Sequence, residues 1–229
     1  MAFVRSISVG QPRDRDWAGI GRTSIDKRPV GGPVAVHELG IDGDSVSDTK
    51  HHGGPDQAVY AYAREDLDFW EAELGMPIRD GQFGENLTTE GIDLNALPIG
   101  TRLRIGTPGI GVLLEAVYVR TPCNDFKGWM GESGYDPRAW VKRFTLEARP
   151  GPYLRVLETG TIAPGDEIEL VHVPTHQRTI RDMFVALNTD RSLLPGLLVV
   201  DGLLPKVRAK AEDFVQRTGG SLPPAEPVA

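Results

Sequence analysis

The chain has only one cysteine among 229 residues, and this scarcity limits how it can be held together. A single thiol excludes an internal disulfide framework and any zinc or iron–sulfur site built from several cysteines. Cys123 is therefore either a small packed side chain or one deliberate ligand or nucleophile. A lone cysteine is more often the former, so the thiol by itself does not predict a function.

Long apolar runs and an excess of positive charge are also missing. No stretch has about 18 unbroken apolar residues, and the N-terminal MAFVRSISVG lacks the charged and apolar regions of a signal peptide. These features predict a cytoplasmic protein that does not bind membranes. The formal net charge of −7 argues against non-specific nucleic-acid binding, which requires a field of lysine and arginine.

Glycine and proline are abundant, with 27 and 18 copies and no fixed period, which predicts many turns and short strands rather than an all-helical fold. Apolar and polar residues alternate at Phe3–Val9 and Val34–Leu39, as in half-buried strands. The intervening residues 11–32 are predicted to form a loop. The most apolar run, VLLEAVYV at residues 112–119, is typical of a core strand.

Helical spacing occurs in two segments of the β-rich region and again near the C-terminus. REDLDFWEAEL precedes Gly75, and DPRAWVKRFTLEA runs from Asp136 to Ala148. We therefore expect a mainly β body over residues 1–173 and a three-helix appendage over residues 174–218. The proline-rich residues 219–229 are expected to be a disordered tail.

Four clusters could carry chemistry: three could hold an anionic or heteroatom-rich ligand, and in the fourth Arg120 would favour the thiolate of Cys123, which binds a metal or attacks an electrophile. Cations and histidines supply donors, and glycines let the backbone approach a ligand closely. Each cluster also has an ordinary explanation as a solvated turn, a surface cation pair or a buried thiol. The clusters are Lys27 and Arg28 in KRPVGG, His51, His52, Gly53 and Gly54 in KHHGG, Asn86 in GQFGENLTTEG, and Arg120 and Cys123 in RTPCNDF.

Several other kinds of site lack their signatures. GxxxxGK[ST], GxGxxG, HExxH and GxSxG motifs are all absent from the sequence. A Cys–His hydrolase using Cys123 with His51 or His52 stays open, because proximity in space is not readable from sequence. A zinc site that combines His37, His51 or His52 with Cys123 is a further alternative, although none of these has the usual ligand spacing.

The order of the motifs resembles that of a known family. KRPVGGPVAVHELGIDGD, HHGGPDQAVYAY, FGENLTTEG, RTPC and a late GDEIEL follow one another as in the MOSC (molybdenum cofactor sulfurase C-terminal-like) domain family, specifically its YiiM-like subgroup. The resemblance covers about residues 1–173, and the tail resembles that subgroup's small three-helix C-terminal domain. It implies a mainly β fold, a closed barrel-like domain with a few helices, that binds the molybdenum cofactor (molybdopterin). Pyridoxal phosphate is not implied.

The same resemblance implies roles for individual residues. Cys123 falls on the position of the thiolate that coordinates molybdenum. The residues implied to hold the pterin and its phosphate are Lys27, His52, Asn86 and Arg120. Arg28, Gly53 and Gly54, from the same clusters, are further cofactor-binding candidates. The resemblance does not identify the proton donor, for which His51 and Asp125 are candidates. NDFKGWMGESG, which follows the cysteine, matches no family position, so the wall that faces the substrate is not predicted.

The implied activity is reduction of N-hydroxylated small molecules, such as N-hydroxylated purine bases, as a detoxification reaction. No flavin, haem or iron–sulfur motif is present, so a separate reductase is expected to supply electrons. A homodimer is left open. The alternative is a binding or carrier protein that holds the molybdenum cofactor without turning over a substrate.

Overall fold

The computed structural model describes residues 1–219. Within this range the strands are β1 (Phe3–Val9), β2 (Arg13–Asp14), β3 (Arg22–Thr23), β4 (Arg28–Val30), β5 (Val34–His37), β6 (Gly40–Ile41), β7 (Val59–Ala63), β8 (Leu87–Glu90), β9 (Arg102–Ile105), β10 (Val112–Val119), β11 (Pro152–Glu158), β12 (Gly160–Ile162) and β13 (Ile168–His172). The α-helices are α1 (Arg64–Leu74), α2 (Asn124–Glu132), α3 (Trp140–Glu147), α4 (Ile180–Asn188) and α5 (Pro205–Thr218). Short 3₁₀ helices lie at Pro55–Gln57, Leu94–Ala96 and Arg191–Val199.

One eight-stranded sheet dominates the fold, in the order β13-β9-β10-β11-β7-β8-β1-β4. Neighbouring strands are antiparallel except for β7 and β8, which are parallel. Smaller sheets of three and two strands flank it, and helices cover parts of its surface. The expected β-rich body is thus confirmed as a sheet-dominated α/β fold.

The expected closed barrel is not found among residues 1–219, because β13 and β4 remain as separate edges of the sheet. An isolated bridge from Phe3 to Glu167 brings the beginning of β1 close to β13, but no ladder joins the edges. Strand β4 has only three residues and includes Pro29, which has no N–H to donate to another strand. These features of β4 favour an edge rather than closure.

Hydrophobic patterning explains the elements that the sequence predicted well. Strand β1 occupies the predicted residues, and α1 buries Leu67 and Trp70 on one face. Gly75 ends α1 in the left-handed conformation, with φ of 65°. The central strand β7 is buried along its full length, as expected for a strand covered on both faces.

Three local features differ from the sequence predictions. Helix α2 was not predicted, because Gly128 and Gly131 weaken the helical pattern of NDFKGWMGE. Helix α3 begins at Trp140 rather than near Asp136, since Ala139 lies in the left-handed region with φ of 52°. The predicted loop of residues 11–32 contains β2, β3 and β4, whose two or three residues are too short to show alternation.

The segment that follows residue 174 is helical, with α4, a 3₁₀ helix and α5. Phe184 of α4 is fully buried, and the Ile180 N–H donates to the Leu97 carbonyl at 2.9 Å. Whether residues 174–218 form a separate domain stays a prediction. The expected disordered tail lies, apart from residue 219, outside the described residues. Within residues 1–219, no helix is both long and apolar enough to span a bilayer.

Candidate functional site

A cleft that is partly open to solvent lies where the segment after β10 and the turn before β8 approach residues 44–53 and the loop between β3 and β4. Its walls combine charged, polar and aromatic side chains. The lining residues are Arg22, Thr23, Ser24, Ile25, Lys27, Asp44, Ser45, Val46, Ser47, Asp48, His52, Gly53, Gln57, Ala58, Tyr60, Gly84, Asn86, Arg120, Cys123, Asp125 and Tyr153.

This cleft brings together most of the candidate residues from all four sequence clusters. Those that line it are Lys27, His52, Gly53, Asn86, Arg120, Cys123 and Asp125. Arg28, His51 and Gly54 are not among the lining residues. Segments separated by almost 100 residues in sequence therefore converge on one surface.

The three remaining candidates have other surroundings. Arg28 is exposed and forms an ion pair with Asp26 at 2.6 Å. The His51 side chain is 64% exposed, and its Nδ1 lies 2.8 Å from a carboxylate oxygen of Asp48. Gly54 is the residue that precedes the 3₁₀ helix Pro55–Gln57. None of them is positioned to contact a ligand inside the cleft.

Cys123 lies at the junction of a core strand and a helix. Strand β10 ends at Val119, and Cys123 is the N-cap residue of α2. Its Sγ accepts the N–H of Phe126 at 3.4 Å. N-terminal amides of a helix favour negative charge, so this position suits a thiolate ligand. The side chain is only partly buried, which leaves the sulfur accessible from the cleft.

Arg120 is a buried cation without a carboxylate partner among residues 1–219. Its guanidinium lies 3.8 Å from the centre of the Phe126 ring and 5.2 Å from that of Tyr60. It donates a hydrogen bond to the Phe83 carbonyl. A buried charge is costly unless it is paired, so this arrangement favours an anionic ligand in the cleft.

Lys27 is also buried but, unlike Arg120, it has a carboxylate partner. Its ammonium forms an ion pair with both carboxylate oxygens of Asp44. Burial lowers the pKa of Lys27, and the charge of Asp44 opposes that shift. Asn86 donates from Nδ2 to Asp44 at 2.8 Å, while its Oδ1 accepts the Tyr60 N–H at 3.1 Å. The Asn86 amide therefore orients Asp44 and holds the turn before β8 against β7, so it is not free to bind a ligand.

His52 lies at the open side of the cleft and keeps much of its surface exposed. Desolvation lowers its pKa, and the positive charge of Arg120 adds to this effect. The imidazole is therefore mainly neutral at neutral pH. No hydrogen bond joins it to Cys123 in the described part of the chain, so the nucleophile–base contact of a Cys–His hydrolase is missing.

Asp125, a candidate proton donor, instead anchors a hairpin formed by β2 and β3. Its Oδ1 accepts the Gly19 N–H at 2.9 Å. Trp17 of the same hairpin packs on Gly128, where an added Cβ would come within 2.5 Å of the indole. Trp17 Nε1 also donates to Glu132 at 2.7 Å. The hairpin is thereby fixed to α2, and its second strand forms one wall of the cleft.

Two important acidic residues were missed by sequence reasoning. Asp44 neutralises Lys27, and Glu85 shapes the turn that presents Gly84 and Asn86. The Glu85 carboxylate accepts the Gly81 and Phe83 N–H groups at 2.5 and 2.9 Å. Burial raises the pKa of Glu85 to about 7. Each lies within a motif quoted above, but the patterns do not show that its carboxylate is buried.

The side chains of residues 1–219 do not supply a multidentate metal site. Across residues 1–219, no group of three or more histidine, cysteine, aspartate or glutamate residues could hold a metal ion. The zinc alternative built from His37, His51 or His52 with Cys123 is therefore not supported. A metal bound at Cys123 would need most of its ligands from another molecule.

Residues 48–169 match the MOSC domain family. The protein YflK of Bacillus subtilis is 32% identical over 173 residues, which cover 73% of this chain and 72% of YflK. A protein named Reductase from Gibberella moniliformis is 34% identical over 196 residues. That match covers 80% of this chain but only 33% of the Gibberella protein, so the chain spans a third of that relative's length.

A solved structure of YiiM from Geobacillus stearothermophilus has the same fold. It superimposes with a TM-score of 0.74 at 25% sequence identity, covering 93% of this chain and 98% of the YiiM chain. Sequence, fold and cleft together define the class: this chain belongs to the MOSC domain family. Within that family it is YiiM-like.

Proposed function

We propose that this protein is a molybdenum-cofactor-dependent reductase of N-hydroxylated compounds, with Cys123 as the thiolate ligand to molybdenum. The observation that carries the proposal is the convergence of the lone thiol and the unpaired, buried guanidinium of Arg120 in one cleft. Membership of the MOSC family and the similarity to a protein named Reductase support it. N-hydroxylated purine bases are the proposed substrates.

The residues of the cleft fit the proposed cofactor. Molybdopterin brings sulfur ligands of its own, so a single protein thiolate is sufficient, and residues 1–219 contain no multidentate protein site that would be needed otherwise. Its phosphate requires a cation, and Arg120 lacks a carboxylate partner within the described range. When bound, this cofactor would supply the two-electron redox chemistry.

The chain's own residues would bind the cofactor and orient it in the cleft. We expect Arg120 to bind the phosphate and Cys123 to fix the metal. Lys27 is the weaker anion-binding group, because Asp44 already neutralises it. Asn86 acts on the ligand indirectly by orienting Asp44. A separate reductase is proposed as the electron donor.

The first test is Cys123→Ser in protein produced by a host that makes the cofactor. We expect the wild type to contain molybdenum and pterin, and Cys123→Ser to lose at least about 90% of its molybdenum, because a hydroxyl is a poor replacement for a thiolate ligand. Thr121→Ser is the matched control, since Thr121 is exposed and lies outside the cleft. Equal molybdenum in the wild type and Cys123→Ser would refute the ligand assignment.

Turnover then separates an enzyme from a carrier. With an artificial electron donor, an enzyme should convert hydroxylaminopurine to its amine, whereas a carrier should bind molybdenum and leave the substrate unchanged. The artificial donor replaces the unidentified reductase, so the assay does not depend on a partner protein. Molybdenum-containing protein without turnover would favour the carrier alternative.

A further inference from the structure

Tyr153 is half-buried in the wall of the cleft, whereas Tyr60, Tyr62 and Tyr135 are buried. Three other tyrosine hydroxyls donate to backbone carbonyls: Tyr60 to Pro150 at 2.7 Å, Tyr62 to Arg149 at 2.8 Å and Tyr135 to Pro77 at 2.7 Å. Tyr153 lines the cleft, and its hydroxyl makes no hydrogen bond within residues 1–219. The hydroxyl is therefore free to donate a hydrogen bond to a ligand in the cleft.

The ring of Tyr153 is fixed by its neighbours in the sheet. Tyr153 of β11 lies opposite Tyr60 of β7 and Tyr118 of β10. Its ring centre is 5.2 Å from that of Tyr60 and 6.3 Å from that of Tyr118, with the latter pair stacked at 17°. Cross-strand aromatic contacts of this kind restrict the side chain. The hydroxyl is therefore held in place before a ligand binds.

Electrostatics keep this hydroxyl protonated. Burial raises the pKa of Tyr153 to about 12, although the positive charge of Arg120 acts in the opposite direction. At neutral pH the side chain can therefore donate a hydrogen bond. Cys123 lines the same cleft and acts electrostatically on Tyr153, so a substrate bound near the thiol would lie within the surroundings of the Tyr153 side chain.

The acidic groups around the cleft are already engaged. Asp44 binds Lys27, and Asp48 binds His51. Asp125 accepts the N–H of Gly19. These carboxylates accept hydrogen bonds when ionised and cannot donate one to a substrate oxygen. His52 is a donor at the mouth of the cleft, but its exposed ring has freedom that the packed ring of Tyr153 lacks.

We propose that the Tyr153 hydroxyl donates a hydrogen bond to the oxygen of the substrate's N-hydroxyl group, and so distinguishes the substrate from the amine product. The inference rests on the proposed function and deepens it by naming a specificity-determining residue. A site built to bond a particular oxygen discriminates against an analogue without that oxygen, because the site's polar group is then left unpaired.

The test measures binding to cofactor-loaded protein in the absence of an electron donor, so that the substrate is not consumed. Calorimetry gives the affinities of hydroxylaminopurine and of the corresponding aminopurine for the wild type, Tyr153→Phe and Tyr118→Phe. We expect Tyr153→Phe to bind hydroxylaminopurine about tenfold more weakly and aminopurine equally well, because only one hydrogen bond is lost. Tyr118→Phe is the matched control. Tyr118 stacks on Tyr153 but does not line the cleft, so this variant removes a hydroxyl from the same pair of rings without removing one from the cleft.

Two results would overturn the assignment of Tyr153. One is an unchanged preference for hydroxylaminopurine in Tyr153→Phe, and the other is a wild type that binds both ligands equally. Phe keeps the ring, and molybdenum content checks that the variant is loaded like the wild type. A wild type without molybdenum or turnover instead refutes the proposed function. An active wild type with unaltered discrimination in Tyr153→Phe refutes only the role of Tyr153.

Discussion

Charged residues near the cleft are stabilised in two different ways. Lys27 is neutralised by Asp44, whereas Arg120 lies over aromatic rings without a carboxylate partner among residues 1–219. A paired cation is stable without a ligand, while an unpaired one gains from binding an anion. This contrast makes Arg120 the better candidate for phosphate binding, although sequence alone ranked both residues alike.

Glu85 should give the protein a measurable pH dependence of stability. Burial raises its pKa from 4.5 to about 7, so the folded state holds the proton more tightly than the unfolded chain. The free energy of unfolding should therefore fall as the pH rises from about 4.5 to about 7, by about 3 kcal/mol from this group. Glu85→Gln cannot titrate and should lose that part of the dependence.

Chemical denaturation at several pH values measures this effect as a change across the pH range, independently of the variant's absolute stability. Glu73→Gln is the control, because Glu73 is exposed on α1, and it should keep the wild-type dependence. If Glu85→Gln shows the full wild-type fall in stability between pH 4.5 and 7, Glu85 is not the titrating group.

At the scale of elements, the close approach of the β2–β3 hairpin to α2 should make the protein less stable when Gly128 is replaced. A Cβ at this position would lie 2.5 Å from the Trp17 ring, so Gly128→Ala requires the hairpin to move. The overpacking cost of about 1–3 kcal/mol is partly offset by a gain of about 1 kcal/mol in helix propensity, so we expect a net loss of up to about 2 kcal/mol. Denaturant unfolding measures the loss, and faster tryptic cleavage at Arg22 reports the displaced hairpin.

Removing the indole provides the matched control. In a Trp17→Ala background the clash is absent, so adding Gly128→Ala should not reduce stability further and should restore the ordinary helical preference for alanine. A stabilising Gly128→Ala change in the wild-type background would show that the hairpin does not pack closely against α2.

The contact of this hairpin with α2 is a feature that the sequence did not predict. Strand β1, helix α1 and the core strand β10 follow clear periodic patterns, and their positions were predicted. Motif order located the four clusters and the family. By contrast, the packing of Trp17 on Gly128 depends on a contact between distant segments, which neither local pattern reveals.

The same limit applies to individual side chains of the candidate site. Lys27 and Arg120 were predicted from residue type, but the partner that distinguishes them, Asp44, lies in another loop. Asp125 was expected to transfer protons, yet its contact with the Gly19 N–H comes from the hairpin. The sequence clusters and the resemblance thus named seven residues that line the cleft, whereas hydrogen-bond partners determine what each group can do there.

At the scale of the whole molecule, the helical C-terminal segment shares its core with the sheet-dominated region. Phe184 of α4 is fully buried, and its ring centre lies 6.2 Å from that of Phe144. The N–H of Ile180 donates to Leu97, which joins the beginning of α4 to the segment before β9. These contacts favour cooperative unfolding of both regions rather than an independent tail.

The variant Phe184→Ala tests this coupling. It should lower the free energy of unfolding by about 3–5 kcal/mol, because it removes a fully buried ring. All four tryptophans, at positions 17, 70, 129 and 140, precede residue 174 and report on the sheet-dominated region. Tryptophan fluorescence and far-ultraviolet circular dichroism should therefore give the same lowered midpoint.

Leu193→Ala is the control. Its side chain is 41% exposed, so it should change the free energy of unfolding by less than about 0.5 kcal/mol. An unchanged fluorescence midpoint in Phe184→Ala, with a separate early loss of helical signal, would show that the two regions unfold independently.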